Sequence, residues 1–544
     1  MVNAVNTMKR LLLSALALSV LGCAPKEVKY DLNIVTDNCD AANKPFEGVQ
    51  FLRVRVTGQD MDPKTEISSA NPATRQLVIP EIPAGLQRVI EVRGYDGDPN
   101  SGARVLSMGK SLPFDVPDVV PEALMGGSIK VNVILRKVNS FSPIVSAAAP
   151  TQCQQLRMPR AGHTATLLKN GKVFIAGGYN LRPGSPEKRS LAETEIFNPA
   201  TGAFELAKSL SITSQGAVYE LPRAFHAAIR LPSGQVVVWG GEVYSNGTNN
   251  TVSPITSILF YDADVDDFGA VGPRMPAAIN RSRHRMAIDA NGKVLVAGGI
   301  TRSTGTGGGL IPTNEVEWLD PAAATNLYKI VDGVTLPRID ATVMAVKGGE
   351  YIAVVGGTDG SAVKNDITFF KFNGTTFAKQ GTSMPPVLAG AGRRGAAGAL
   401  IRDSQDLVIL GGYTDPTLVR PLASSEILTA AAATVAPGPD VRTARGDICA
   451  VTMGDGTVLA TGGRTSDSGQ PPRSDSTSVL ITAANTGGVT SIGAPNLPKA
   501  RYAHTCTTLL DGTVLVTGGI NELTDGSVEI LQDAYIYTPT PPAD

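Results

Sequence analysis

Histidine and arginine recur together in this chain, three residues apart, and they are the side chains best suited to chemistry. An imidazole can ligate copper or zinc and can move a proton near neutral pH. A guanidinium binds carboxylates and phosphates through two parallel hydrogen bonds. The motif R-x-x-H holds all four histidines, which are His163, His226, His284 and His504. Seven copies supply an arginine at the same place: Arg160, Arg223, Arg281, Arg338, Arg394, Arg445 and Arg501.

These arginines admit two interpretations. If they surround one opening, seven guanidinium groups would form a cationic mouth for an acidic glycan or a peptide carboxylate. If they belong to the scaffold, each would hydrogen-bond the backbone of a neighbouring unit. The histidines are predicted to be packing residues of the same motif, because four histidines are too few to fill it and also supply an independent metal-binding pair. No metal and no cofactor is therefore predicted.

A glycine pair closes an apolar run at a fixed distance after each arginine. Six arginines lie 17 residues before the first glycine of the pair, and Arg338 lies 18 residues before it. In between come a short strand-like run, a turn such as "NGK" or "DGT", and a continuously apolar run such as "VFIA" or "VLVT". This order is typical of a β-hairpin with both faces covered. The pairs are Gly177 and Gly178, Gly240 and Gly241, Gly298 and Gly299, Gly356 and Gly357, Gly411 and Gly412, Gly462 and Gly463, and Gly518 and Gly519.

The seven units, each with four predicted strands, resemble the kelch family over about residues 141 to 538. The resemblance implies a seven-bladed β-propeller. Where kelch blades carry a late tryptophan, this chain has Phe204, Phe268 and Phe377. The last unit has three strands, and the orphan segment 141–156 is predicted to supply the fourth and close the ring. The propeller is assigned to residues 139–540, followed by a tail at 541–544.

Kelch blades also occur in galactose-oxidase-like copper enzymes, so that activity has to be considered. Such a site needs two copper-binding histidines, two tyrosines and a cysteine cross-linked to one of the tyrosines. All four histidines here occupy the repeat position, and an oxidase is not predicted. The alternating carboxylates from Asp262 to Asp267 could ligate calcium, but the first unit has an ordinary turn at the same place, and a turn is preferred.

Residues 1–22 are predicted to be an export signal. Lys9 and Arg10 precede an uncharged run from Leu11 to Leu21 that is too short to span a bilayer. The run ends in Leu-Gly before Cys23, which resembles the bacterial lipobox. This resemblance implies lipidation of Cys23, a lipidated tether over residues 23–29, and anchoring at the outer membrane or cell surface. An ordinary secretory signal with a chance cysteine is the alternative.

Export also bears on the other four cysteines, because an exported compartment permits disulfides. Four cysteines allow three pairings. Their positions favour Cys39 with Cys153 and Cys449 with Cys506, and the first pair would join the propeller to the preceding domain. None lies in a CxxC motif, so neither zinc binding nor redox chemistry is predicted.

Residues 30–138 lack the repeat. Short runs such as "VQFLRVRV" and "RVIEVRGY" alternate apolar and polar residues between turn clusters. Over about a hundred residues, this pattern predicts a β-sandwich of immunoglobulin or transthyretin type. The whole chain is therefore predicted to be all-β.

Composition gives little support for nucleic acid as a partner, since the formal net charge is only −1. The predicted role is non-catalytic binding of protein or glycan at the cell envelope, by a monomer held to the membrane through its lipid. One alternative is a carbohydrate-active enzyme that uses carboxylates of the propeller loops. Another is a structural spacer.

Overall fold

The computed structural model describes residues 29–36, 39–40, 44–70, 78–118, 128–214, 216–244, 252–269, 279–303, 309–323, 327–381, 392–403, 405–466, 472–484, 488–523 and 526–542. Apart from 3-10 turns at Pro99–Ser101 and Lys347–Gly349, the regular elements of these ranges are β-strands. None of their helical segments has the length and apolar character needed to cross a bilayer. The export signal, Cys23 and most of the tether lie outside the described residues and stay predictions.

The N-terminal strands form one continuous sheet. They are β1 (Lys29–Thr36), β2 (Phe51–Thr57), β3 (Lys64–Ser69), β4 (Gly85–Tyr95), β5 (Val105–Lys110), β6 (Phe114–Val116) and β7 (Ser128–Lys137). Their order is β1-β7-β5-β4-β2-β3, with β6 paired to β4. Two separate sheets were predicted. Instead β7 connects β1 to the other strands in one sheet, because it is long enough to pair with β1 over 128–135 and with β5 through Arg136 and Lys137. Val54 of β2, Val92 of β4 and Val133 of β7 are buried together in one core.

The prediction of a seven-bladed propeller is confirmed. In each blade the strands are named a to d from the axis to the rim. Blade one has Thr164–Leu167, Val173–Ala176, Thr194–Asn198 and Ala203–Ala207; blade two has Ala227–Arg230, Val236–Trp239, Ile258–Asp262 and Asp267–Phe268. Blade three has Arg285–Ile288, Val294–Ala297, Glu317–Leu319 and Tyr328–Ile330; blade four has Thr342–Val346, Tyr351–Val355, Ile367–Phe372 and Phe377–Lys379.

Blade five has Ala397–Ile401, Asp406–Leu410, Ser425–Thr429 and Thr434–Gly438, and blade six has Cys449–Thr452, Val458–Thr461, Ser478–Ala483 and Val489–Ala494. Blade seven has Thr505–Thr508, Val514–Thr517 and Ala534–Thr538. Short hairpins follow strand b in five blades: Tyr179–Leu181 with Lys188–Ser190, Glu242–Tyr244 with Val252–Pro254, Ile300–Arg302 with Leu310–Pro312, Arg464–Thr465 with Arg473–Ser474, and Ile520–Glu522 with Val528–Ile530. A further hairpin, Ser211–Ser214 with Ala217–Glu220, joins blades one and two.

The first and last segments of the propeller meet in blade seven. Strand d of this blade is Ser140–Ser146, which pairs antiparallel with Ala534–Thr538, and Ala149–Gln154 adds a fifth strand at the rim. A disulfide joins Cys39, just after β1, to Cys153 on that outer strand, with the Cα atoms 5.1 Å apart. The closing strand therefore also ties the N-terminal sheet to the propeller.

Apolar side chains of adjacent blades fill the spaces between them. Between blades one and two, Phe174 of strand b stacks on Tyr261 of the next blade with ring centroids 3.9 Å apart. The strand-d rings Phe204, Phe268 and Phe377 all lie in such inter-blade cores. At ~25 cal/mol per Å² of apolar surface removed from water, this burial is the main force that holds neighbouring blades together.

One hydrogen bond is repeated around the whole ring. The N–H of the second glycine of each pair donates to the carbonyl oxygen of the repeat arginine in the next blade, which in blade five is Arg393 and not the predicted Arg394. The seven distances lie between 2.7 and 3.0 Å, and the bond from Gly519 to Arg160 closes the circle between blades seven and one. Each blade is thereby fixed to the next at the backbone, near the axis.

The glycine pair is required by this close approach. Gly177 has a φ of +59°, and a Cβ added to it would lie 2.5 Å from the carbonyl oxygen of Arg223. Gly178 has a φ of +95°, and its added Cβ would lie 2.8 Å from the carbonyl oxygen of Ala161. A side chain at either position would force neighbouring backbones apart.

We expect Gly177→Ala to lower the free energy of unfolding by roughly 2–4 kcal/mol, since it adds a backbone clash to the strain of a left-handed φ. Gly184→Ala is the matched control, because Gly184 has a φ of +71° with no atom within 4 Å of an added Cβ. It should cost only about 1 kcal/mol. Urea unfolding followed by circular dichroism measures both, and equal losses would contradict the role assigned to the close approach.

Candidate functional site

The repeat arginines lie inside the blades. Arg160, Arg223, Arg281, Arg445 and Arg501 have no exposed surface, and Arg338 is 7% exposed. In four of these blades the guanidinium donates to the carbonyl oxygen of its own blade's first glycine, at 2.7–3.2 Å. The prediction of a cationic mouth built from these residues is therefore wrong, because burial leaves their guanidinium groups inaccessible to a ligand.

Acidic side chains at or just before strand c complete most of these contacts. Arg160 pairs with Glu195 at 2.5 Å and Arg281 with Glu317 at 2.6 Å, both fully buried. Arg338 pairs with Asp366 and Arg501 with Asp533. The scaffold interpretation agrees with the burial of the arginines, but the contacts differ from those expected. The side chain braces its own blade, and the arginine's carbonyl oxygen bonds the neighbour.

Blade five corrects one assignment. Arg393, which is 1% exposed, donates to the Gly411 carbonyl at 2.7 Å and pairs with Glu426 at 2.9 Å. The predicted residue, Arg394, is one position further on. The count failed because the hairpin between strands a and b is one residue longer here, as it is in blade four. Arg394 is consequently free of the scaffold role and reaches the axis side of the ring.

The four histidines sit in the inter-blade spaces next to the first glycine of the preceding blade. His163 Nε2 hydrogen-bonds the Thr517 hydroxyl at 2.9 Å, and His226 Nε2 hydrogen-bonds the Thr164 hydroxyl at 2.9 Å. Burial, aided by the nearby repeat arginines, lowers the pKa of His226 and of His504 to about 3. The same causes hold the pKa of His163 and of His284 well below the usual value. All four rings are neutral near pH 7.

A second ring lies on the axis side of the arginines. The residue two positions after each repeat arginine has a left-handed backbone, with φ between +50° and +61°. Five of the seven N–H groups donate to the carbonyl oxygen of the equivalent residue in the preceding blade, at 2.8–3.0 Å. These residues are Gly162, Phe225, Arg283, Asp340, Gly395, Asp447 and Ala503. Five of them are not glycine, and such backbone strain concentrates at functional sites.

Charged and aromatic side chains gather around this second ring. We call them the mouth cluster: Phe225, Glu242, Arg283, Asp340, Arg394, Tyr413, Asp447, Arg464, Tyr502 and Glu522. Nine of them come from three equivalent places, namely the two residues after the repeat arginine and the first residue after the glycine pair. Glu522 is the third residue after its glycine pair. The backbone bridges Ala161–Tyr179, Ala224–Glu242, Arg394–Tyr413 and Gly446–Arg464 hold those places side by side.

Two parts of the mouth cluster have the same construction. Arg283 makes a bidentate contact with Glu242, at 3.0 and 3.2 Å, and its guanidinium lies 4.6 Å from the centre of the Phe225 ring. Across the mouth, Arg464 makes a bidentate contact with Glu522, at 2.8 and 3.2 Å, and lies 5.0 Å from the centre of the Tyr502 ring. Both arginines are thus held in place by a carboxylate and an aromatic face.

Asp447 differs from the other carboxylates of the mouth cluster. Glu242, Asp340 and Glu522 each pair with an arginine, whereas Asp447 accepts a hydrogen bond from the Tyr413 hydroxyl at 3.2 Å. Burial and the neighbouring charge of Asp340 raise the pKa of Asp447 to about 6, although Tyr413, Arg464 and Arg394 act in the opposite direction. A carboxyl group with this pKa can accept or donate a proton near neutral pH.

Comparison with known proteins supports the fold. No protein-family model matches the sequence, and no curated protein matches it. A solved structure described as a novel fungal alcohol oxidase with catalytic diversity among the AA5 family, in complex with copper, is similar with 16% identity and a TM-score of 0.50, over 74% of this chain and 76% of that one. The structure of YjhT is similar with 14% identity and a TM-score of 0.42, over 62% of this chain and 99% of that one. At such identities the oxidase likeness shows a shared propeller fold and no shared activity.

We expect Asp447→Asn to raise the free energy of unfolding more at pH 7.5 than at pH 4. The folded-state pKa is raised, so the stability that protonated Asp447 contributes is present at low pH and lost as the pH rises through about 6. Asparagine mimics the protonated form, and the difference between the two pH values should be about 2 kcal/mol. Urea titrations of both proteins at each pH measure it, and a difference that does not change with pH would contradict the assignment.

Proposed function

We propose that this protein is an exported, lipid-anchored binding protein whose propeller recognises a glycan at the mouth cluster. The observation that carries the proposal is the pair of arginine-carboxylate contacts at Arg283 and Arg464, each stacked on an aromatic ring. Export and anchoring are supported by the charged start, the apolar run and the Leu-Gly-Cys23 ending of the N-terminal sequence.

The charges of the mouth cluster favour a hydroxyl-rich ligand over a strongly anionic one. Three arginines stand beside four carboxylates, so the mouth carries no cationic excess. Sugar hydroxyls both donate and accept hydrogen bonds, and fixed arginine and carboxylate groups offer both kinds of partner. Phe225 and Tyr502 are partly exposed and add apolar ring surface of the kind that carbohydrate C–H groups pack against. Side-chain exposures of 39% for Arg283 and 22% for Arg464 leave both arginines accessible.

Non-catalytic binding is favoured because three of the four carboxylates are engaged by arginine. An enzyme of the glycosidase type needs two carboxyl groups that are free to act on the substrate. A second candidate function nevertheless has one specific observation behind it. Asp447 lies beside Asp340 and has a raised pKa, an arrangement that can supply a proton donor in a carbohydrate-active enzyme.

The test of glycan binding is an envelope-glycan array probed with the full chain and with Arg283→Lys/Arg464→Lys. Lysine keeps the charge but cannot make the bidentate, stacked contact, so we expect at least a tenfold loss of affinity. Arg230→Lys is the matched control, because Arg230 is exposed at the opposite end of strand a of blade two. Circular dichroism and thermal melting establish that all three proteins are folded.

Each result of this experiment decides between the functions. Loss of binding in the double variant alone supports recognition at the mouth cluster. Equal binding by all proteins would move the glycan site elsewhere, and no binding by any would contradict glycan recognition and favour a protein partner. Hydrolysis of a bound glycan that Asp447→Asn abolishes, while binding persists, would support the enzyme instead.

A further inference from the structure

The contact between blades six and seven departs from its neighbours at one position. At two other inter-blade contacts the first residue of strand a offers a hydroxyl to the histidine of the following blade. Thr164 does so for His226, at 2.9 Å, and Thr505 does so for His163, at 3.2 Å. In blade six the equivalent residue is Cys449, and the histidine that faces it is His504.

A second cysteine completes this group. Cys506 is the second residue of strand a of blade seven, and His504 directly precedes that strand. In the structure Cys506 is disulfide-bonded to Cys449, with the Cα atoms 6.0 Å apart. The two sulfur atoms and one nitrogen of His504 all lie within 4.8 Å of one another, and they form the single such group found among the described residues.

His504 has no hydrogen bond of its own in this group. Its side chain is nine-tenths buried, and both ring nitrogens lack a hydrogen-bond partner within the described ranges. The Thr461 carbonyl lies near the ring but without the alignment of a hydrogen bond. A buried polar atom without a partner destabilises the fold, and a ligand that the nitrogen could bind would remove that cost.

We propose that Cys449, Cys506 and His504 form a redox-gated site for a thiophilic cation, for which zinc is the probe. A thiol reductant supplies two electrons and two protons and converts the disulfide to two thiols, and it is itself oxidised to a disulfide. Zinc then binds the two sulfurs as thiolates and releases the two protons. The neutral histidine supplies the third ligand, and water fills the fourth position.

The chemistry of the ligands agrees with this class of metal. Two thiolates and an imidazole suit zinc or copper(I) and disfavour calcium or magnesium, which take oxygen ligands. The sequence argued against zinc because no CxxC motif is present. Here the cysteines come from strand a of two consecutive blades, and the packing of those blades brings them together. In either state a bond would join blades six and seven: the disulfide when oxidised, the metal when reduced.

The experiment uses the full chain with Cys23→Ser, reduced without air and freed of reductant. Zinc is added in competition with a chromophoric chelator, and cobalt replaces zinc in a second titration so that thiolate ligation is seen as charge-transfer absorption. We expect one ion per reduced chain and none per oxidised chain. His504→Ala should weaken binding at least tenfold, and Cys449→Ser/Cys506→Ser should abolish it.

His284→Ala is the matched control, because His284 occupies the same place in blade three but faces Ala227 in place of a cysteine. It should bind zinc as the parent does. Iodoacetamide labelling of the parent chain, mapped by mass spectrometry, needs no variant at these cysteines. Zinc should protect Cys449 and Cys506 together. Unprotected cysteines, equal binding by the oxidised chain, or full binding by His504→Ala would each overturn the proposal.

Discussion

The structure depends on one hydrogen bond, from the second glycine of each pair to the carbonyl oxygen of the arginine in the next blade. It occurs seven times, and its last copy joins blade seven to blade one. Because two backbones must come within 3 Å of each other, neither glycine can carry a side chain. The arginine whose carbonyl accepts the bond must also be held still. In five blades its buried guanidinium is fixed to the first glycine, and in five blades it pairs with an acid near strand c. The same arginine thus stabilises its own blade through its side chain and bonds the preceding blade through its carbonyl oxygen.

This arrangement separates positions that hold the same residue in every blade from positions whose residue varies between blades. The arginine and the glycines are buried and repeat in every blade, whereas the residue two positions after the arginine faces the axis and differs from blade to blade. It is glycine at 162 and 395, but phenylalanine at 225, arginine at 283 and aspartate at 447. The left-handed backbone at these places is imposed by the ring, so the scaffold bears the strain. Function can then be altered by changing single side chains at the mouth without disturbing the bonds between blades.

The repeat made the blades and the ring closure predictable, because seven copies in one register leave few other folds. The burial of the arginines was not predictable in the same way. The acids that neutralise them, such as Glu195 and Glu426, lie near strand c, beyond a loop of variable length, so no fixed spacing reveals the pairing. Counting back 17 residues also misplaced Arg394, because the hairpin of blade five holds one residue more. Counting two residues forward from each arginine, with Arg393 as the arginine of blade five, finds four members of the mouth cluster, which are Phe225, Arg283, Asp340 and Asp447. It does not find the members that follow the glycine pairs. The single N-terminal sheet could not have been predicted, since the alternation of apolar and polar residues does not tell which strands pair with each other.

The same geometry explains why histidines at equivalent positions have different partners for their ring nitrogens. Four of the first glycines leave a space that the histidine ring of the following blade fills, and the ring then lies near the first residue of strand a of the glycine's own blade. A threonine there satisfies the nitrogen, as Thr164 does for His226, and the contact is purely structural. An alanine leaves it unsatisfied, as Ala227 does for His284. A cysteine leaves it unsatisfied beside a sulfur, and with Cys506 next to it the packing contact acquires the ligands of a metal site. New chemistry at this interface therefore required changes only at positions that the ring of hydrogen bonds does not constrain.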